Sequence, residues 1–308
     1  MPSAPQAAAA QAPTHAPTHS PSSVTVIGLG PMGQAMAAAY LDRGYRVTLW
    51  NRTPSRADAL VEQGAVLAGS VEEALLANDL VILSLTDFDA MYAILEPAAA
   101  AVAGRTLVNL SSDTPEKARA GARWVTGLGG THLTGGVLCP PPLIGTPDTS
   151  TFYSGPREAY DTFRPALEVI TGKTDYRGED QGLAALMYQL NMVIFWPSMI
   201  AYWHAVALAG AHGLKATDIA PYAAENFAGM GHFIDFYSPR IDAGNHAGDV
   251  DRTSMGLASM EHVVHTTADA GVDPAFPAAV REIFQRVVAA GQGADSFSRA
   301  VELMGQKG

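Results

Sequence analysis

A glycine-rich turn between a short apolar run and an alanine-rich segment is the feature that most limits how this chain can fold. Residues 24–27 predict a strand, and residues 32–43 predict a helix that ends at Gly44. The turn between them has the spacing GxGxxG, in which the glycines permit a tight turn, the approach of a pyrophosphate and close helix packing. The free amides at the helix N-terminus favour that anion. The candidate cofactor residues here are Gly28, Leu29, Gly30, Pro31, Met32 and Gly33.

Strand and helix patterns alternate as far as residue 178. Two predicted helices end at a glycine, Gly44 and Gly64, and two others begin at a capping residue, Ser70 for one and Ser112 or Asp113 for the other. This order predicts an α/β fold with an open, mostly parallel, doubly wound sheet, that is, a Rossmann domain. The predicted strands are 24–27, 47–50, 65–67, 80–83, 106–110, one that begins at 132, and 151–153; the predicted helices are 32–43, 55–63, 70–77, 91–102 with a kink at Pro97, and 112–128.

Beyond residue 178 helical periodicity replaces the strand signals. The chain is therefore predicted to divide into a disordered tail (1–22), the Rossmann domain (23–178), a long inter-domain helix (179–212) and an all-α C-terminal domain (213–308). The tail has no Asp, Glu, Lys or Arg and no apolar run, which argues against a secretory signal or a transit peptide. Shorter helices are expected near 217–228, 230–240, 254–271, 274–290 and 294–304.

An uncharged stretch covers residues 181–214 and is long enough to cross a bilayer. It contains Gln189, Asn191, Pro197 and His204, and no basic cluster flanks it, so we do not expect a membrane protein. A helix that is apolar on all sides can instead be buried by protein. One chain of this size offers little to cover it completely, which indicates a second subunit.

Composition narrows the classes of partner and the compartment. The chain has 19 basic and 30 acidic residues, a net charge of −11, which argues against nucleic acid as the main partner. Its one cysteine, Cys139, excludes an intramolecular disulfide and fits a reducing compartment, the cytoplasm. His262 and His265 have a spacing of three residues, but no third ligand accompanies them and no metal site is predicted.

The end of the second predicted strand indicates which nucleotide binds. An NAD site places Asp or Glu there to hold the ribose hydroxyls. This chain has Asn51, Arg52 and Thr53, with Arg56 one helical turn further on. Arginines can pair with a 2′-phosphate and the threonine can donate a hydroxyl, so we expect NADP(H). The alternative is that both arginines are ordinary surface residues.

Polar residues after later strands are further candidates for cofactor contacts, since ligands lie at the carboxyl ends of such strands. Leu85 and Thr86 follow the fourth strand, and Asn109 and Ser111 follow the fifth. Thr86 and Ser111 could equally form turns or caps. In a later segment, Thr134 and Leu138 flank a glycine pair that suggests close backbone approach.

Six segments together resemble the NADPH-dependent imine reductases, which belong to the β-hydroxyacid dehydrogenase-like superfamily. They are GLGPMG, NRTPSRAD, LSLTD, VNLSSDTPEKAR, LTGGVLCPPPLIGTP and GLAALMYQLNMVIFWP, and the likeness covers nearly all of residues 23–308. The first is shared across the superfamily, whereas PPPLIGTP and the segment 182–197 are more specific. The resemblance implies a Rossmann domain, a long helix and a helical domain, in a reciprocally swapped homodimer with shared active sites.

The resemblance also implies a role for Tyr188. Superfamily dehydrogenases carry a lysine at this place on the long helix and an asparagine three residues later; here the positions hold Tyr188 and Asn191. Imine reductases have Asp or Tyr at the first position, and the Tyr form accompanies S-selectivity. Tyr188 is thus the expected proton donor or substrate anchor, with a core tyrosine as the alternative reading of the helix alone.

The predicted reaction is hydride transfer from NADPH to the C=N carbon of an imine or iminium, cyclic ones included, to give an amine. An imine nitrogen is basic enough to be protonated near neutrality, so the missing lysine is tolerable and positioning suffices. Two alternatives remain, an NADP-dependent reductase of carbonyl substrates and a non-catalytic NADP-binding dimer. The candidate substrate-pocket residues, each of which could instead be core, are Asn191, Trp196, Met199, Trp203, Phe233 and Phe236.

Overall fold

The computed structural model describes residues 22–305, so the predicted tail lies outside the described residues apart from Ser22. Among these residues eight strands form one sheet, accompanied by eleven α-helices and four 3₁₀ segments. The strands are β1 (Ser23–Ile27), β2 (Arg46–Trp50), β3 (Val66–Leu67), β4 (Leu80–Leu83), β5 (Thr106–Asn109), β6 (Thr131–Val137), β7 (Ser150–Ser154) and β8 (Lys173–Tyr176). The helices are α1 (Pro31–Asp42), α2 (Asp58–Glu62), α3 (Val71–Ala77), α4 (Phe88–Leu95), α5 (Pro115–Gly127), α6 (Arg157–Ile170), α7 (Gly182–Ala211), α8 (Ala216–Asp242), α9 (Thr253–Asp269), α10 (Ala275–Ala289) and α11 (Ala300–Gly305).

The sheet has the strand order β3-β2-β1-β4-β5-β6-β7-β8. All neighbours are parallel except β6 and β7, whose antiparallel register pairs Gly135 with Tyr153. Because β1 pairs with β2 on one side and β4 on the other, the order reverses beside β1. The predicted doubly wound Rossmann fold is confirmed.

Apolar residues fill both faces of the sheet. One cluster packs Met36 and Tyr40 of α1 and Leu167 of α6 against the strands, and the other packs Phe88 and Met91 of α4. β4 has no exposed residue, as its uninterrupted apolar run requires. A parallel sheet covered on both faces therefore supports the loops at its carboxyl edge.

Local sequence signals fixed several helix ends. Ser70 Oγ accepts the Glu73 amide at 3.0 Å, as the predicted cap requires, while the Glu73 carboxylate turns back to the Gly69 amide at 2.8 Å. The kink expected at Pro97 is a change from α4 to a 3₁₀ segment at Glu96–Val102. The prediction that Ser112 or Asp113 caps α5 was wrong, because Thr114 accepts the Lys117 amide.

Two elements escaped the sequence analysis, α6 and β8. α6 contains Pro165, a residue that argues against a helix interior because it lacks the backbone amide, although the buried Tyr160, Phe163 and Leu167 have helical spacing. β8 reads Lys-Thr-Asp-Tyr and none of its residues is buried, so it carries no apolar run. Edge strands of this kind are stabilised by pairing with their neighbour, here β7.

The chain divides into two compact units between Met192 and Val193, within α7. The second unit is helical, as predicted, but two boundaries differ. The segments expected at 217–228 and 230–240 form one helix, α8, because Gly229 and Gly231 keep helical geometry and a glycine costs only about 1 kcal/mol in a helix. The helix expected from 294 begins only at residue 300, since the Asp295 carbonyl and the Ser296 amide bond to Thr253 and His246 instead.

Candidate functional site

The crevice at the carboxyl edge of the sheet lies between β1 and β4, where the strand order reverses. The Ser84 amide donates to the Ile27 carbonyl at 2.9 Å, which holds the two strand ends side by side. Ligands of open α/β sheets bind outside the carboxyl ends of the strands at such a reversal. The site is therefore built from the loops that follow β1, β2, β4, β5 and β6.

The glycines of the turn after β1 are fixed by different contacts. Gly28 has a φ of 96° and a Cβ there would overlap the Ser84 carbonyl oxygen. A Cβ on Gly33 would overlap the Gly28 carbonyl oxygen, so Gly33 serves helix packing. At Gly30, by contrast, no heavy atom lies within 4 Å of an added Cβ. Gly28 and Gly33 are thus packed against other parts of the protein, whereas the space beside Gly30 is open to a ligand.

The N-terminus of α1 faces this opening without a side-chain cap. Gly30 is the N-cap residue, no side-chain hydrogen bond caps the helix, and its first turn contains no acidic residue. Uncapped amides at the positive end of a helix are a favourable site for an anion. The open glycine and the uncapped amides fit the pyrophosphate of a dinucleotide.

A cavity of about 410 Å³, which we call the arginine cavity, extends from this turn along the end of β2. Of the residues that the structure describes, only Arg52 and Arg56 bring a charged side chain to its lining, and both are exposed. Its lining brings together residues 28–32, Asn51, Thr53, Leu85 and Thr86, as predicted for cofactor contacts. Two guanidinium groups without a lining carboxylate suit a phosphate group.

Asn51 holds the glycine turn to the end of β2. Its Oδ1 accepts the Leu29 amide at 2.9 Å, and its Nδ2 donates to the Thr53 carbonyl at 2.9 Å. Both ends of the amide are therefore engaged inside the loop. An aspartate here could accept from Leu29 but could not donate to Thr53, so the asparagine suits this loop geometry.

A second cavity, of about 230 Å³, continues from the first past Met32, Ser84 and Thr86. We call it the tyrosine cavity, because Tyr188 of α7 lines it. Ser111, predicted as a cofactor contact, also lines this cavity, and its Oγ accepts the Leu85 amide at 3.2 Å.

Tyr188 lies close to the backbone of β6 because Gly136 has no side chain. A Cβ on Gly136 would lie 2.8 Å from Tyr188 Cβ and 3.2 Å from the Ala184 carbonyl oxygen. The glycine pair 135–136 predicted close backbone approach, and the partner that approaches is α7. This contact sets how far Tyr188 stands from the sheet.

Ionic contacts fix the beginning of α7. Arg119 of α5 makes a bidentate pair with Asp180 at 2.7 and 2.8 Å, and Asp180 Oδ1 also accepts the Gly182 amide. The guanidinium hydrogen bond and this amide lower the pKa of Asp180 to about 2. Tyr188 lies less than two turns further along a helix that is anchored at its start.

A buried polar cluster beneath the site includes Thr134, one of the predicted site residues. Thr134 Oγ1 donates to Gln181 Oε1 at 3.0 Å, and His132 Nδ1 meets the same oxygen at 3.1 Å. Thr134 is buried and lines neither cavity, and its contact with the cofactor stays a prediction. Burial lowers the pKa of His132 to about 4, which keeps its ring neutral.

Asn109 and Leu138 also serve the framework rather than the cavities. Asn109 is fully buried, its Oδ1 accepts the Ser111 amide at 2.9 Å and its Nδ2 contacts Met91 Sδ at 3.3 Å. The Leu138 amide donates to the Ser150 carbonyl at 3.1 Å, and Leu138 lines neither cavity. A polar side chain at the end of a strand often forms hydrogen bonds with the backbone of the loop that follows, and it is then not available to a ligand.

Four residues with hydroxyl, carboxyl or thiol side chains in the lining of the tyrosine cavity were missed by the sequence analysis, namely Ser84, Ser112, Asp113 and Cys139. The first three directly follow or lie close to the ends of β4 and β5, so the rule that selected Leu85 and Ser111 could have found them. Cys139 follows β6, and burial raises the pKa of its thiol, which keeps it protonated.

The predicted substrate-pocket residues lie mostly on exposed surfaces. The Asn191 side chain donates to the Met187 carbonyl of its own helix at 2.9 Å. In the second unit Trp196, Trp203 and Phe233 are about half exposed, at 52%, 50% and 56%, while Met199 and Phe236 are partly buried. These side chains form an apolar surface on α7 and α8.

α7 is long and apolar enough to span a membrane by length and composition, a test that core helices of soluble proteins also pass. Within residues 22–305 no three His, Cys, Asp or Glu side chains are grouped as metal ligands. The polar side chains of the described site line the two cavities.

Two family models match the chain and meet near its middle. Residues 23–178 match the NAD binding domain of 6-phosphogluconate dehydrogenase, and residues 180–306 match the C-terminal domain of the NADPH-dependent reductive aminase-like proteins. Fold and site together define a two-domain oxidoreductase that uses a nicotinamide dinucleotide.

Relatives of known activity narrow this class. A Streptomyces aurantiacus imine reductase is 77% identical, with a TM-score of 0.90 over 92% of this chain and 100% of that one. An Aspergillus oryzae NADPH-dependent reductive aminase is 31% identical over 91% of this chain and 96% of its own length. A reductive aminase from Aspergillus terreus, solved with NADPH and ethyl levulinate, is 30% identical, with a TM-score of 0.89 over 92% of this chain and 99% of that one. The chain belongs to the family of NADPH-dependent imine reductases and reductive aminases.

Proposed function

We propose that this protein reduces the C=N bond of a small imine, a cyclic imine among its substrates, to an amine with NADPH. The observation that carries the proposal is a pair of adjacent cavities that share lining residues, one with two arginines and the other with Tyr188 of an uncharged helix. The family relationship supports the same reaction. A cationic acid suited to carbonyl reduction is absent from the described lining of the tyrosine cavity.

The arginine cavity binds the cofactor in this proposal. The uncapped amides of α1 hold the pyrophosphate, and Arg52, Thr53 and Arg56 hold the 2′-phosphate that distinguishes NADPH from NADH. Leu85, Thr86 and Ser111 lie further along the crevice, towards the tyrosine cavity. Bound NADPH supplies the hydride that the C=N carbon accepts.

Tyr188 orients the imine nitrogen or delivers a proton to it. An imine is basic enough to be protonated near neutral pH, so the protein needs to position a cation rather than to protonate a weakly basic carbonyl. A phenol hydroxyl can donate and accept hydrogen bonds, which suits either role. The close contact with Gly136 and the ion pair at the start of α7 fix the part of the helix that carries Tyr188.

We propose further that two copies of the chain assemble into a swapped homodimer. In the second unit few apolar side chains are buried, whereas Val193, Ile194, Tyr222 and Ile234 are each at least 60% exposed. A groove of about 740 Å³ between α7 and α8 is lined mainly by apolar residues. Apolar surface of this extent marks an interface, and a second copy would supply the matching helices.

In this dimer the exposed aromatic residues would complete the substrate pocket. Asn191, Trp196, Met199, Trp203, Phe233 and Phe236 are the proposed pocket residues, and the tyrosine at position 188 favours the S-amine. The free thiol of Cys139 and the use of NADPH fit action in the cytoplasm.

The decisive experiment follows NADPH consumption with a cyclic imine and a ketone, and NADP+ reduction with a 3-hydroxy acid. The wild type should reduce the imine at the highest rate. Tyr188→Phe should slow that reduction by about 100-fold or change its enantiomeric excess. Tyr92→Phe, which alters a phenol packed on Trp124 outside the site, is the control. Oxidation of the 3-hydroxy acid without turnover of the imine would refute the proposal.

A further inference from the structure

The charges of the two cavities are opposite. Within residues 22–305, Arg52 and Arg56 are the charged residues that line the arginine cavity, and Asp113 is the charged residue that lines the tyrosine cavity. The remaining lining of the tyrosine cavity is apolar, hydroxyl or thiol. A ligand that spans the crevice therefore meets positive charge at one end and negative charge at the other.

The carboxylate of Asp113 is held in place by backbone amides. Oδ1 accepts the Thr114 amide at 2.8 Å, and Oδ2 accepts the Phe88 amide at 3.4 Å, so the group lies between the N-termini of α4 and α5. Its side chain is only 12% exposed. These two amides fix the orientation of the carboxylate at this position.

One cation lies nearby, and it is shared. Lys117 Nζ is 3.5 Å from Asp113 Oδ2 but 2.8 Å from Asp89 Oδ2. The hydrogen bond to Asp89, with the charge of Asp113, raises the pKa of Lys117. Two carboxylates and one ammonium leave this cluster with a net negative charge, and of its members only Asp113 lines the cavity.

A hydrogen bond joins the same residue to the helix of Tyr188. Gln189 Nε2 donates to the Asp113 carbonyl oxygen at 3.1 Å. Gln189 directly follows Tyr188, so the carboxylate-bearing loop and the phenol-bearing helix are linked beside the cavity. Asp113 and Tyr188 thus hold fixed relative positions.

We propose that Asp113 determines specificity for a cationic substrate, so that the tyrosine cavity selects the protonated iminium and rejects substrates with a carboxylate. This inference rests on the proposed function and specifies the charge of the substrate that the site binds. A fixed negative charge a few ångströms from the ligand favours a cation and disfavours an anion by about tenfold or more at an effective dielectric constant near 20. The same charge disfavours hydroxy acids and keto acids.

Three probes that share one skeleton test the inference by binding alone. They are the cation N,N-dimethyltetrahydroisoquinolinium, neutral tetralin and the anion tetralin-2-carboxylate, each titrated calorimetrically into the full-length protein saturated with NADP+. Asp113→Asn should weaken binding of the cation about tenfold, leave that of tetralin unchanged and strengthen that of the anion. Asparagine retains an acceptor for the Thr114 amide, which preserves the loop.

Two further variants control for indirect effects. Glu116→Gln removes a negative charge from the same end of α5 outside the cavity and should change none of the three affinities. Lys117→Met removes the shared cation and should strengthen binding of the cationic probe severalfold, a shift in the opposite direction.

The outcomes separate this inference from the proposed function. Equal changes for all three probes in Asp113→Asn, or no change in any, would overturn the role of Asp113 even if the enzyme reduces imines. If the wild type prefers the cation but reduces no imine, the proposed reaction fails and the charge selectivity stands.

Discussion

In the proposed function the choice between NADPH and NADH depends on Arg52, an exposed residue that lines the arginine cavity. Arg52 and Arg56 follow β2, where the loop is held to the glycine turn by both ends of the Asn51 side chain. The loop thus presents two cations beside the place where an adenosine ribose would lie. A charge-assisted hydrogen bond contributes about 1.5–3 kcal/mol, enough to separate NADPH from NADH.

Replacing Arg52 with glutamate tests this discrimination. Arg52→Glu should raise the KM for NADPH by roughly tenfold to a hundredfold and change the KM for NADH much less, because only NADPH carries the 2′-phosphate. Steady-state kinetics with each cofactor measure the two KM values in the variant and in the wild type. Arg46→Glu, at the opposite end of the same strand, is the matched control. Equal effects on the two cofactors would remove Arg52 from phosphate recognition.

His132 makes stability depend on pH. Its folded pKa is about 4 because of burial, below the ordinary value of 6.5, so the unfolded chain binds one more proton between these values. The free energy of unfolding should therefore fall by up to roughly 3 kcal/mol as the pH drops from about 6.5 to about 4. Urea titrations across this range should show a flatter dependence in His132→Leu; an unchanged slope would exclude His132 as the cause.

At the scale of elements, the meeting of β6 and α7 sets the position of Tyr188. Gly136 leaves room for the Tyr188 Cβ and the Ala184 carbonyl oxygen, and Arg119 and Asp180 fix where the helix begins. The glycine pair in the sequence predicted a close approach but not the element that approaches. That partner depends on packing between residues far apart in the chain.

A single methyl group should disturb this contact. Gly136→Ala places a Cβ 2.8 Å from Tyr188 Cβ, so α7 must shift, with a stability loss of about 1–3 kcal/mol and a lower kcat for imine reduction. Thermal unfolding and kinetics measure both effects. Gly127→Ala meets no atom within 4 Å of the added Cβ at the end of α5 and serves as the control. A variant with normal kcat would show that this spacing does not control Tyr188.

At the scale of the whole molecule, the two units differ in how they bury apolar surface. The first has two extensive clusters against its sheet, while the buried apolar residues of the second are few, Ala209, Val264, Val287 and Ala300. A helical unit with so small a core is stable only when other helices cover it. This contrast supports the proposed homodimer.

Disruption of the exposed apolar surface tests the assembly. Val193→Asp, at a side chain that is 69% exposed, should convert a dimer into monomers and abolish activity, because a buried charge opposes the interface. Sedimentation velocity measures the assembly state. Val66→Asp, at a 63% exposed side chain of β3 in the first unit, should leave the dimer intact. A wild type that is fully active as a monomer would refute the homodimer.

The sequence by itself determined the Rossmann domain, the glycine turn, the cationic loop after β2 and the uncharged helix, because each depends on residues close together in the chain. Only the tertiary structure decided which polar side chains remain available to a ligand. Thr134 is bound to Gln181, 47 residues away, and Asn109 holds Ser111 and Met91, whereas Asp113, taken for a helix cap, lines a cavity. A short pattern fixes the backbone, but the partner of a buried donor or acceptor is set by the elements that pack around it.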